Sequence, residues 1–105
     1  MSEQVCIITA DLSRCRYLDE LHECIRRAFD FPDWYGKNWS ACWDLLSEPR
    51  DDTVVYVQGV QTLPDDLRPS GEKFVSLLQR NKEKVEAFSA AHPDHASHFD
   101  YKVLD

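Results

Sequence analysis

All three tryptophans of this 105-residue chain fall within one stretch, Phe31 to Leu46 (FPDWYGKNWSACWDLL), which also holds Tyr35, Asp33 and Asp44. Large aromatic side chains next to an acid are the usual composition of a binding hot spot. Between Asp30 and Asp52 six acids stand against only two bases, Lys37 and Arg50, so this segment carries a net charge of −4. Aromatic anchors in an acidic field would attract and hold a basic cleft. Trp34 and Tyr35 sit in a turn between Pro32 and Gly36 where full burial is hard, and Trp43 borders the helical stripe that holds Ser40 and Asp44. Trp39 instead shares the apolar face with Cys42 and Leu46 and is expected in the core. The plain alternative is a well-packed helix with an ordinary solvated face.

Other chemistry finds less support. The three glycines, at positions 36, 59 and 71, are too scattered to cradle a phosphate, and no nucleophile elbow or zinc-protease pattern is present. The four cysteines, Cys6, Cys15, Cys24 and Cys42, include no C-x-x-C pair and lie in no evidently electropositive turn, so reduced and mostly buried thiols are expected, with Cys6 and Cys42 in the core. His92, His95 and His98 recur at steps of three near Asp94 and Asp100 and have the letters of a metal site. Pro93 prevents a regular helix across them, and a solvated loop is the expected outcome. No catalytic residue, metal or cofactor is expected, and the chain reads as a binding protein rather than an enzyme.

The elements that must position the aromatic stretch can be read from periodicity. Val5 to Ala10 (VCIITA) is a short apolar run closed by Asp11 and predicts a buried strand. From Tyr17, Leu18, Leu21, Ile25, Ala28 and Phe29 recur at helical spacing, and Pro32 forces Phe31 out of the helix. Pro32 to Asn38 predicts a turn in which Gly36 can take a positive φ and Asn38 can cap a second helix running from about Trp39 to Ser47. Thr53 to Val57 (TVVYV) is continuously apolar and predicts a central strand covered on both faces. A single turn over 63–67, a long helix from about Pro69 that stops by Pro93, and an alternating edge strand from Phe99 to Leu104 complete the chain. The order β-α-α-β-α-β implies an α/β fold, a small three-stranded parallel sheet with helices packed on it.

Composition fits one globular domain over residues 1–105, with 43% apolar and 30% charged residues. Twelve Lys and Arg against nineteen Asp and Glu give a net charge of −7, which disfavours nucleic acid or an anionic membrane as the direct partner. With no apolar run of spanning length and no secretory pattern at the start, a cytosolic location is expected.

The block from Phe31 to Leu46 resembles the signature of the barstar family, intracellular protein inhibitors of ribonucleases of the barnase type. The matching positions are Pro32, an aromatic at Trp34, Tyr35, Gly36, Asn38, an apolar residue at Trp39, Ala41, Trp43, Asp44 and Leu46. The resemblance implies occlusion: the turn and the following helix plug the ribonuclease active site, and an acid on that helix takes the place of an RNA phosphate. By motif position that acid is Asp44, with Trp34, Tyr35, Gly36, Asn38 and Trp43 at the surrounding contact or scaffold positions. Ser40 stands where the family commonly has a second acid, and Arg80 and Lys84 align with acids that face the target in the family's namesake. A basic ribonuclease or RNase toxin is therefore the expected partner, but one charged differently from barnase, bound by a monomeric inhibitor. The rival expectation is an interaction or regulatory module of the same fold whose partner is no ribonuclease; Ser40 and Arg80 favour it.

Overall fold

A computed structural model describes residues 5–48 and 52–104 of the chain. Arg50 and Asp51, counted above in the acidic segment, lie outside the described residues. The elements run β1 (Cys6–Asp11), α1 (Leu18–Phe29), α2 (Trp39–Leu46), β2 (Thr53–Gln58), α3 (Arg68–Ala91), a 3-10 turn (Pro93–His95) and β3 (Phe99–Val103). This is the β-α-α-β-α-β order that the sequence predicts. The three strands form one parallel sheet in the order β1-β2-β3, with Ile8 opposite Val55 and Val55 opposite Tyr101.

Because the chain crosses this sheet in one direction without reversing, connections of the same hand place the helices on the same side. Ile8, Ala10, Val55, Val57 and Phe99 point to that side and are buried. There they join Leu21, Ile25 and Phe29 from α1, Cys42, Leu45 and Leu46 from α2, and Phe74, Leu77 and Leu78 from α3 in one core. Two expectations are corrected by this topology. β2 is not covered on both faces: Thr53, Val55 and Val57 are buried while Val54, Tyr56 and Gln58 are only half-buried. β1 is an edge strand, with Ile7 at 66% exposure and Cys6 exposed rather than in the core.

Local signals account for the helix ends. Glu20 reaches back from the first turn of α1 to accept hydrogen bonds from the backbone N–H groups of Arg16 and Tyr17, at 2.9 and 3.2 Å. At the other end Asp30 adopts φ 57°, and the Phe31 N–H donates to Arg26 O at 2.9 Å, a left-handed cap that ends the helix two residues before Pro32. The predicted turn over 63–67 closes through Leu67 N–H to Pro64 O at 2.9 Å, and α3 begins directly after it. Gly59 supplies the one tight crossing in the loop after β2. Its φ is 84°, and a Cβ there would lie 2.4 Å from the Ser13 nitrogen.

Candidate functional site

The turn from Asp30 to Asn38 is held from beneath. Phe31 stacks on Phe29 with ring centroids 5.2 Å apart and packs against Tyr35 at 5.5 Å. Tyr35 N–H donates to Pro32 O at 2.9 Å, which folds the Tyr35 ring inward. Tyr35 is 4% exposed, and its hydroxyl lies 2.6 Å from His22 Nδ1. The expected exposure of Tyr35 is thus corrected: it is a core residue that anchors the turn. Trp34, on the other side of the same turn, is 74% exposed. From α1, Arg26 grips the turn on its outer flank, donating to Phe31 O at 3.4 Å and pairing with Asp33 at 3.3 Å.

The backbone reaches α2 through one residue of positive φ. Lys37, not Gly36, takes the positive φ, at 50°. Gly36 leaves space instead: a Cβ at this position would lie 2.9 Å from Asn38 Nδ2, so the amide would have to shift. The Asn38 amide needs that space because its Nδ2 donates to Gly36 O at 3.1 Å while its Oδ1 accepts from Ala41 N–H at 2.8 Å. Asn38 is therefore the N-cap of α2, as its sequence position predicts.

On α2 the apolar face is buried as expected through Cys42, Leu45 and Leu46, and Trp39 is half-buried with its ring 4.5 Å from that of His22. Ser40 and Asp44 are exposed on the opposite side. Trp43 is half-buried, and its ring face is occupied from within the molecule: the Arg80 guanidinium carbon stands 4.6 Å from the ring centroid and Lys84 Nζ 5.9 Å. Trp43 is a platform for these cations and not a free anchor. Sequence reasoning missed this because Arg80 reaches Trp43 from a distant helix. The outward-facing members of the predicted site are accordingly Trp34, Gly36, Asn38, Ser40 and Asp44, while Tyr35 lies behind them.

Asp44 is the least satisfied of these residues. It lies in the last turn of α2, where the helix dipole disfavours a negative charge, and that turn carries no base. Among the described residues its carboxylate makes no ion pair and accepts no hydrogen bond. An exposed carboxylate placed against its own helix dipole contributes nothing to the fold, but it is available to a cation brought by a partner.

The cysteines and the histidine cluster lie apart from this surface. Burial pushes the thiols of Cys15 and Cys42 up to about 11 and raises that of Cys24, so none of the three is an activated nucleophile near neutral pH. His92 stacks on Phe88 at 4.4 Å, His95 closes the 3-10 turn, and the His98 backbone N–H donates to Asp52 Oδ1 at 3.0 Å. The three imidazoles are exposed, and among the described residues no three potential ligands come together to hold a metal. Nor is any described helix long and apolar enough to cross a membrane.

Comparison with known proteins agrees with this architecture. A search of curated proteins returns no match. The family model described as Barstar (barnase inhibitor) matches residues 5–98, from β1 to the residue before β3, so it spans the whole turn and α2. Covering most of the chain, this match shows that the protein belongs to the barstar family.

Proposed function

We propose that this protein is a stoichiometric inhibitor of a ribonuclease, acting inside the cell as an immunity protein against an RNase or RNase toxin. The observation that carries this reading is Asp44, exposed, without an ion pair among the described residues and set against its helix dipole in the last turn of α2. Any enzyme that cleaves RNA must present cations to a polyanion, and a carboxylate entering that cleft makes charge-assisted hydrogen bonds in a desolvated setting, where they are stronger than on a surface. Trp34 supplies an exposed aromatic anchor for the contact, and the Asn38 cap keeps α2 rigid, so little ordering entropy is lost on binding. Family membership supports a ribonuclease as the class of target. No turnover and no cofactor enter this mechanism; the inhibitor occupies the site and excludes RNA.

The test is capture from native cell extract on immobilised protein, with Asp44→Ala in parallel and the eluates assayed for RNA cleavage. The reading requires that the parent retain a ribonuclease that the variant does not, and that added parent silence it. A partner without nuclease activity, held equally by both forms, would instead mark the fold as a regulatory interaction module.

A further inference from the structure

Two cations on α3, Arg80 and Lys84, lie over the ring of Trp43 in a chain of net charge −7. Lys82 is paired with Asp100 at 3.1 Å, and Arg26, Arg27 and Arg68 likewise have carboxylate partners. Arg80 and Lys84 are exposed and, among the described residues, form no ion pair. They sit four residues apart on the helix, a spacing at which like charges repel. Lys84 has a structural account, since its ammonium donates to Ser47 O at 3.1 Å and so satisfies the carbonyl end of α2. Arg80 has none beyond the indole of Trp43, over which its guanidinium is held at 4.6 Å. Although Trp43 directly precedes Asp44 in the chain, Arg80 makes no ion pair with that carboxylate. Among the described residues the surface therefore carries an acid and a guanidinium without ion pairs on adjoining helices, the guanidinium lying over the Trp43 ring.

We propose that Arg80 is a specificity-determining residue of the partner surface, which meets a carboxylate on the partner beside the cations that receive Asp44. This rests on the inhibitor reading above and narrows it. The contact with the Trp43 ring uses a face of the guanidinium, which leaves its N–H groups free for a planar carboxylate, and it limits the ability of Arg80 to swing away from a cation. A ribonuclease with an acidic group on the rim of its basic cleft satisfies both charges. One that is basic over the whole face places like charge against Arg80, with Lys84 adding to the repulsion, and is rejected.

Barnase, the enzyme in the family's description, serves as the probe, since a ribonuclease must present a basic cleft. Its binding to the parent, Arg80→Gln and Arg80→Glu would be measured at low and high salt, with thermal melts confirming that each variant is folded. The expected result is that Arg80→Glu binds at least about tenfold more tightly than the parent at low salt, that Arg80→Gln falls between them, and that high salt shrinks the gain. Binding by both variants that is equal to or weaker than the parent's, including no detectable binding by any form, overturns the proposal. If Arg80→Glu fails to fold, the neutral Arg80→Gln decides by the same criterion. Asp44→Ala in the Arg80→Glu background separates the two readings. Loss of the gained affinity upholds the role of Asp44, whereas its persistence refutes occlusion by Asp44, whatever Arg80 does.

Discussion

The imidazole Nδ1 of His22 on α1 and the hydroxyl of Tyr35 in the turn before α2 are 2.6 Å apart in the interior, and this contact couples α1 to that turn. His22 is 1% exposed and Tyr35 4%. Burial raises the Tyr35 phenol far above its usual range and lowers the imidazole from its usual value near 6.5, so the pair is neutral on both sides near pH 7. The Trp39 ring, 4.5 Å from His22, closes the same cluster from α2.

Tyr35→Phe keeps the ring and removes the hydroxyl, leaving a buried imidazole nitrogen without a partner. The expected cost is about 1–3 kcal/mol of stability, read as a lower urea midpoint at unchanged slope. Replacing both partners, His22→Phe with Tyr35→Phe, should cost less than the sum of the two single changes, because no orphaned polar group remains. Additive effects would show that the hydrogen bond is not what couples α1 to the turn.

The same pair sets a pH dependence. His22 has a folded-state pKa below its unfolded value of 6.5, so the unfolded chain takes up the proton first and stability falls as pH drops through 6.5 and on through the folded value. The carboxylates held low act later. Glu23, lowered to about 2 chiefly by its hydrogen bond to Arg26, contributes stability above pH 4.5 that is lost between there and about 2. Urea midpoints between pH 7.5 and 5 should therefore decline in the parent and decline less in His22→Gln, whose side chain cannot take up a proton. Identical slopes for the two proteins would remove His22 as the cause.

At the start of α2, Asn38→Ala removes the cap on Ala41 N–H and should cost about 0.5–2 kcal/mol. Gly36→Ala should act through the same bond, because its Cβ would stand 2.9 Å from Asn38 Nδ2 and displace the amide. Combined, the two substitutions should cost little more than Asn38→Ala alone. Faster amide exchange at Ala41 in both single variants, with the core helices unaffected, would locate the effect at the cap.

The strand order, α1 and the cap at Asn38 are legible in the sequence because each rests on local periodicity or on a turn residue acting within a few positions, whereas the role given to Asp44 rests on the resemblance of its motif. What is not legible depends on partners distant in the chain. Nothing near Tyr35 reveals that it turns inward, since its partner His22 lies 13 residues earlier on another helix. Cys6 and Val54 carry apolar letters suited to burial, yet which face of the sheet is covered follows from the path of the whole chain. The fate of Trp43 is decided by Arg80, which local reading places only as a surface charge. Even the backbone of the turn shows this limit, for Gly36 has the freedom to take a positive φ, but Lys37 takes it and Gly36 leaves space for the Asn38 amide.

Trp34 and Tyr35 are neighbours in the chain, and their substitutions should separate stability from binding. Trp34 is 74% exposed, so Trp34→Ala should leave the melting midpoint within the effect of about 0.5 kcal/mol typical of surface changes. Against the ribonuclease captured by the parent, however, it should weaken inhibition by about 2 kcal/mol, roughly thirtyfold, as expected of a buried aromatic anchor at an interface. Tyr35→Phe should behave in the opposite way, lowering stability while the folded fraction binds almost as tightly as the parent. If Trp34→Ala left inhibition intact, the contact surface would have to be drawn around Asp44 and α2 alone, and the exposed tryptophan would need another explanation.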